Sequence, residues 1–355
     1  MNTNRYIRQT NLKEFGTEAQ QKLSNASVLV VGLGGLGIPV VQYLNAMGVG
    51  TLGLVEQDTV ELTNLQRQVL YAENDIGRQK LEVALEKLQA QNSETQFKIF
   101  DTFLTKENAL EIITEFDIVV DASDNFPTRY LVNDACVILK KPFVYGALHS
   151  FEGQVSVFNY KGGPTYRCLF PKMPSNTEIP NCNDNGVLGV IPGIIGNLQA
   201  LEVIKVITSI GEVLNGKLLL YNGLTQSILK ISFKLNPENN TIKKLEDNYG
   251  MSSCSTHLNI SADELQELIS TNKNTQIIDV RTTEEYASYH LNESINIPLD
   301  ELQERYIEID INTPVYMICQ SGKRSQIAII QLQEEMEGVF YNVSGGINKF
   351  MEICP

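Results

Sequence analysis

The chain has 355 residues, 43% of them apolar and 20% charged, and a formal net charge of −14. That length suits two domains with real cores, and the excess of acid excludes a general nucleic-acid binder. The acid is uneven: residues 256–355 carry 16 acidic against 6 basic side chains, which fits two units with different surfaces or a solvated face kept for solubility.

Met1-Asn2-Thr3-Asn4-Arg5 lacks the apolar core of a signal peptide, and no apolar run approaches the length of a membrane span. A cytoplasmic protein with no membrane partner is expected. Six cysteines, Cys136, Cys168, Cys182, Cys254, Cys319 and Cys354, form no C-x-x-C pair. In a reducing compartment they read as free thiols, with one or two nucleophiles among them.

In chain order, residues 27–31 are a β-branched apolar run that leads into Gly32-Leu33-Gly34-Gly35-Leu36-Gly37. A helical spacing over 38–47 and a second apolar run at 51–55 complete a βαβ unit. Residues 80–91 predict an amphipathic helix, 97–100 a strand, 106–115 a helix and 117–120 a buried strand. Strands follow at 143–146 and 154–158, then an apolar helix at 191–207 opened by Pro192 and Gly193, then strands at 218–221 and 227–233. Residues 236–255, with Pro237, Asn239, Asn240 and Ser252-Ser253, read as a linker. Beyond it come a helix at 261–270 with Ser261 as N-cap and Glu264 as its capping-box partner, strands at 277–280 and 315–319, and a helix at 325–335. The expected architecture is α/β: a first domain over 1–235 with a mainly parallel sheet, and a smaller α/β domain over 256–355.

The glycine loop matches G-x-G-x-x-G and would let phosphates approach bare backbone at Gly34 and Gly35. Glu56, at the next strand end, is placed to accept from ribose hydroxyls. Alone this suggests a nicotinamide dehydrogenase. The run Asn64-Leu65-Gln66-Arg67-Gln68 turns the reading toward chemistry on phosphates, since an Arg fork suits phosphate oxygens. Lys80 adds a point charge. Asp121-Ala122-Ser123-Asp124-Asn125 sits at a strand end, where Asp124 can ligate Mg²⁺. Each has a plainer reading: Arg67 as a surface ion-pair partner, Lys80 as a solvated helix residue, Asp124 as a helix N-cap.

Together with Arg5-Tyr6-Ile7-Arg8-Gln9, Glu152-Gly153-Gln154 and residues 189–200, these motifs make residues 4–235 resemble the ubiquitin-activating E1-like family, MoeB/ThiF type. The resemblance implies ATP and Mg²⁺ binding and adenylation of the C-terminal Gly of a ubiquitin-like sulfur carrier ending Gly-Gly. It implies a Rossmann-like adenylation domain and a homodimer, with Arg8 reaching into the partner's site. Asn64, Arg67 and Lys80 would hold phosphates, Asp124 magnesium, and Asn125 the nucleotide. Attack of a carboxylate on the α-phosphorus needs positioned charge more than acid–base groups. Many members carry two C-x-x-C pairs for structural zinc; here Thr165 leaves only Cys168, and the second pair is missing near Asn236-Pro237-Glu238, so no zinc site is expected. Cys182, in Asn181-Cys182-Asn183-Asp184, matches a loop Cys that in relatives links covalently to the carrier; an ordinary loop thiol is the other reading.

In the second half, Cys319-Gln320-Ser321-Gly322-Lys323-Arg324-Ser325 joins a strand to a helix. Backbone N–H groups, the helix dipole, Lys323 and Arg324 would favour a thiolate or persulfide at Cys319. Phosphatase loops place Arg six positions after Cys; here that position is Ser325, and the tighter loop suits one sulfur better than a phosphate. With Asp279-Val280-Arg281, Glu285-Tyr286, His290, Ile297-Pro298-Leu299 and Gly345-Gly346-Ile347, residues 256–355 resemble a rhodanese domain. That implies Cys319 as a persulfide-carrying nucleophile, loaded by a donor such as a cysteine desulfurase, with Asp279 and Arg281 as an internal ion pair fixing the loop. The combined expectation is an adenylyltransferase joined to a sulfurtransferase, serving molybdopterin, thiamine or tRNA thiolation. Two alternatives stay open: a nicotinamide oxidoreductase with a rhodanese tail, and a non-catalytic carrier adaptor.

Overall fold

The computed structural model describes residues 4–174, 186–246, 249, 258–271, 275–292, 294–311, 313–336 and 338–353. The chain divides into two compact units, residues 1–249 and 250–355.

The first unit opens with two helices, α1 Ile7–Thr10 and α2 Gly16–Asn25, and then alternates: β1 Ser27–Val31, α3 Gly37–Ala46, β2 Thr51–Val55, α4 Lys80–Gln91, β3 Gln96–Phe100, α5 Ala109–Thr114, β4 Ile118–Asp121, α6 Phe126–Leu139 and β5 Phe143–His149. Next come β6 Glu152–Phe158, α7 Tyr166–Leu169, α8 Val190–Thr208, β7 Lys217–Asn222 and β8 Ser227–Ser232. The sheet runs β3-β2-β1-β4-β5-β6-β7-β8. Its first five strands are parallel and its last three antiparallel. Val-rich β1 and β4 are buried on both faces, as parallel strands between helical layers must be. Strand order reverses between β1 and β4, so the crevice for a ligand opens at their C-terminal ends.

Two sequence expectations change. Helix α8 is long and apolar enough by length and composition to cross a membrane, contrary to the reading that no run approaches that length. It packs against α3, β5 and β6, and a Cβ at its Gly196 would stand 2.5 Å from the Leu36 carbonyl oxygen, which shows how close the two helices come. The segment expected as a linker does not leave the first unit at residue 235. A 3-10 turn, Pro237–Asn240, follows β8. Farther on, Glu246 pairs with Arg167 and the buried Tyr249 donates to Asp134 at 2.8 Å.

The second unit holds β9 Leu258–Ile260, α9 Ala262–Thr271, β10 Gln276–Asp279, α10 Thr283–Ser288, β11 Ser294–Asn296, α11 Leu302–Arg305, β12 Val315–Ile318, α12 Lys323–Glu335, β13 Phe340–Val343 and α13 Gly346–Ile353. All pairings in its sheet, β11-β10-β12-β13-β9, are parallel. Ile278 and Met317 face one apolar cluster, Ile277 and Ile318 the other, so central β12 delivers Cys319 from a core buried on both sides.

Candidate functional site

At the C-terminal ends of β1 and β4, three segments converge. Gly37 is required by close packing, since a Cβ there would stand 1.9 Å from the Gly32 carbonyl oxygen. The loop is thereby drawn tight onto the positive end of α3. A Cβ on Gly34 would meet Gln68 Nε2 at 3.6 Å; one on Gly35 would meet Arg67 Cγ at 3.5 Å and Pro192 Cβ at 3.0 Å. Bare backbone thus lies between the 64–68 run and the start of α8, a cradle of the kind phosphates enter.

The side chains around it are held in distinct ways. Glu56 accepts from the Leu33 N–H at 2.8 Å and from those of Gln57 and Asp58 at 2.9 Å each. The carboxylate expected to meet ribose therefore also ties the glycine loop to β2. Asn64 is buried and folds its run into a turn: Oδ1 accepts from the Glu61 N–H, and its carbonyl accepts from Arg67 and Gln68. Arg67 donates to the Thr63 carbonyl at 2.9 Å and has no carboxylate partner among the described residues, against the plainer ion-pair reading. Lys80 is buried rather than solvated, with Nζ 3.1 Å from Asp58 Oδ2. Gln68 Oε1 is buried without a hydrogen-bond partner among the described residues.

Asp124 and Asn125 are exposed beyond β4. Asn125, not Asp124, caps α6, its Oδ1 accepting from the Thr128 N–H at 2.9 Å. The N-cap reading of Asp124 is thereby overturned, while Asn125, the residue expected at the nucleotide, has its side-chain oxygen engaged in the cap. Arg8 is exposed on α1, which anchors at Met47 and Gly48 through Gln9 and Tyr6. That is the far end of α3, about 15 Å along the helix from the glycine loop.

Sequence reasoning missed α6 and with it Arg129. The guanidinium is buried, stacks 5.2 Å from the Phe126 ring centroid and 5.7 Å from that of Tyr145, and donates to the Ser123 carbonyl at 3.3 Å. Beside it Asp121 is fully buried and accepts from the Ser123 hydroxyl at 2.6 Å. Burial pushes the Asp121 carboxyl up, opposed by Arg129. Asn125 followed by Phe126-Pro127, a cap and then Pro in the first turn, was the signal available.

In the second unit Cys319 is buried, and its sulfur accepts from the Gly322 N–H at 3.2 Å. Ser325 Oγ lies 3.4 Å from the same sulfur and 2.7 Å from Asn342 Oδ1. A Cβ on Gly346 would stand 2.1 Å from the Cys319 carbonyl oxygen. That carbonyl and the one of Gln320 accept from Ile347 and Asn348, so the start of α13 closes the back of the loop. Ser321 lies on its exposed side. Arg281 is buried in a bidentate pair with Asp279 and reaches Gln320 Oε1 at 3.3 Å. Arg324 does not offer a free charge to the sulfur as expected. Its two Nη groups bind the two oxygens of Glu285 at 2.7 Å each, and this pairing holds the Glu285 carboxyl down at about 2. The Lys323 side chain and residues Cys182, Cys254 and Cys354 lie outside the described residues.

The ThiF family model matches residues 6–243. The chain belongs to the ThiF family. A rhodanese-like domain model matches residues 261–353. The chain is 41% identical over 357 residues to the adenylyltransferase and sulfurtransferase MOCS3 of Aedes aegypti, covering 93% of this chain and 81% of that one. It is 52% identical over 238 residues to the sulfur carrier protein adenylyltransferase of Thermus thermophilus, covering 66% of this chain and 88% of the relative. Among solved structures, E. coli MccB with ATP matches at a TM-score of 0.59 and 28% identity, over 66% of this chain and 73% of that one.

The zinc that many ThiF-family members hold does not fit here. Cys168 Sγ accepts from the Thr165 N–H at 3.4 Å, the Asn236 N–H at 3.3 Å and Asn239 Nδ2 at 3.5 Å, and lies 3.3 Å from Thr165 Oγ1. Two i,i+3 pairs, Thr165/Cys168 and Asn236/Asn239, face each other as metal knuckles do, but N–H donors aimed at a sulfur are not ligands. Burial opposes ionisation of Cys168, yet the hydrogen bonds from Thr165, Asn239 and Asn236 prevail and hold its thiol below the usual range.

Proposed function

We propose that the first unit binds ATP and joins AMP to the C-terminal glycine of a ubiquitin-like sulfur carrier protein, and that a Cys319 persulfide then consumes the acyl-adenylate. The enzyme classes, adenylyltransferase and sulfurtransferase, follow from the two matched domains and from a relative that carries both in one chain. The observation that carries the nucleotide assignment is the cradle of Gly34 and Gly35 against Arg67 and Gln68. The carrier carboxylate attacks the α-phosphorus and pyrophosphate leaves. Arg67, Lys80 and Asn64 take up phosphate charge and fix the in-line geometry, and Glu56 has a further lone pair for ribose. Asp124, one exposed carboxylate at the crevice, fits a magnesium ion whose other ligands are phosphate oxygens and water, and which when bound would neutralise phosphate charge. Arg8, exposed on a helix anchored at the end of α3 away from the glycine loop, suits donation to a second copy, and a homodimer is part of this proposal.

The terminal sulfur of the Cys319 persulfide, loaded by an external persulfide donor, attacks the acyl carbonyl and AMP leaves. A second thiol then cleaves the sulfur–sulfur bond, freeing the thiocarboxylate and remaining in disulfide with Cys319. Tethering keeps a labile adenylate near its nucleophile through effective concentration. A cytoplasmic location belongs to the same reading. Neither an oxidoreductase nor an adaptor accounts for an Arg67–Lys80–Asp124 set in one unit and a Cys319 loop of this kind in the other. The test is ATP–pyrophosphate exchange with a carrier ending Gly-Gly. Carrier-dependent exchange is expected, reduced at least about a hundredfold by Arg67→Ala; no exchange with any sulfur carrier from the source would sink the proposal.

A further inference from the structure

The hydroxyl of Ser325 faces two groups and has one proton. Asn342 Oδ1, 2.7 Å away, can only accept, so the proton lies on that line. Toward the Cys319 sulfur, 3.4 Å away, Ser325 therefore presents a lone pair. The Asn342 orientation is fixed in turn: on β13 it sits across from Asn259 of β9, and its Nδ2 donates to Asn259 Oδ1 at 3.2 Å. Ser325 is wholly buried and Asn342 nearly so, so water does not relieve this competition.

We propose that Asn342 is a positioning residue of the sulfur site, holding the Ser325 proton off the Cys319 sulfur until negative charge develops there. The inference rests on Cys319 being the sulfur-carrying residue. A neutral thiol gains from this arrangement, since S–H can donate to the Ser325 lone pair. A thiolate or persulfide anion draws the hydroxyl proton to itself, and the bond to Asn342 is given up. Asn342 thus sets how readily the loop accepts an anion, without touching the reacting atoms. Other charges face the loop as well: Arg324 from α12, paired with Glu285 from α10, and the Asp279–Arg281 pair at the end of β10. These stay constant across the variants below.

The experiment measures Cys319 alkylation by iodoacetamide against pH in the full chain, resolved by peptide mass spectrometry. Asn342→Leu frees the hydroxyl to donate to sulfur, so the pH of half-maximal alkylation falls by about one unit, the size of a hydrogen bond to a charged group. In a Ser325→Ala background the same substitution has no effect. Asn342→Asp, a stronger acceptor of unchanged size, moves the midpoint upward, and by less when Ser325 is Ala. An unmoved midpoint in Asn342→Leu, or an equal shift with and without Ser325, overturns the proposal. Should Asn342→Leu fail to fold, an Asn342→Asp shift that is equal in both backgrounds overturns it. This readout needs neither ATP nor carrier, so its failure is distinct from failure of the adenylation reading.

Discussion

Among the described residues, the sulfurs of Cys168 and Cys319 sit in hydrogen-bonded settings, and they differ in what those bonds leave over. Cys168 is half-buried and gathers its donors from Thr165, three residues back, and from Asn236 and Asn239, in a segment beyond β8. Cys319 is buried, and its polar neighbours lie within six residues, the donating N–H of Gly322 and the hydroxyl oxygen of Ser325. At Cys168 the sulfur is a knot that ties two segments together, and its acceptor capacity is spent. At Cys319 the hydroxyl proton is lodged elsewhere, and the loop's own geometry is fixed by α13 and the Asp279–Arg281 pair rather than by the sulfur. The hydrogen bonds that hold the Cys168 thiol below its usual range thus belong to a structural sulfur. A sulfur suited to chemistry is one that the fold does without.

The largest expected contrast follows directly. Cys319→Ala should abolish addition of sulfur from a persulfide donor, read as mass gain on the peptide holding residue 319, with a loss of stability smaller than at Cys168, since one N–H, that of Gly322, loses its acceptor. Cys168→Ala should keep that mass gain and cost about 1–3 kcal/mol of stability, because donors aimed at the sulfur lose their acceptor. If Cys168→Ala blocks loading while Cys319→Ala does not, the two roles are reversed and the comparison fails.

The same contrast explains what was legible in the sequence. The Cys319 loop was legible because strand end, glycine turn and helix start are contiguous, and Gly346 marks its distant wall. The glycine loop, Glu56 and the 64–68 run were legible for the same reason, each being a local signal at a strand end. The Cys168 arrangement was not, because Asn236 and Asn239 carry no metal-ligand signature and their segment looked like a linker. Arg129 was hidden with α6, which had no range in the sequence reading and entered it only through the N-cap reading of Asp124. Strands β9, β11 and β13, of three or four residues, were too short to show a period. Arg324 was identified by its charge, but Glu285, from another helix, decides what that charge does.

A gain-of-function variant sharpens the account of Cys168. Thr165→Cys with Asn236→Cys and Asn239→Cys places four thiols on the two facing i,i+3 pairs. The triple variant should take up one zinc per chain, measured by elemental analysis after dialysis, and resist heat better with metal than after chelation. The parent protein should carry none. Stoichiometric zinc in the parent, or none in the triple variant, would show that the two pairs do not form the frame described.

The smallest effect concerns the rim of the Cys319 loop. Glu285 titrates at about 2 in the folded protein because Arg324 pairs with it, against about 4.3 in an unfolded chain. A lowered folded value means the stabilisation is fully present above about pH 4.3 and is lost as pH falls through about 2. Each side chain is one-third exposed, with relative side-chain areas of 33% and 33%, so solvent screening keeps the contribution under about 1 kcal/mol. Urea unfolding of the parent and of Glu285→Gln should therefore differ slightly and evenly from pH 5 to 7, as order-of-magnitude bounds on that window. The two curves should converge as pH drops toward 2. A difference that survives at the acid end would mean that Glu285 acts through its capping of Thr282 rather than through Arg324, and that the loop's rim is held by neutral bonds, as the Cys168 knot is.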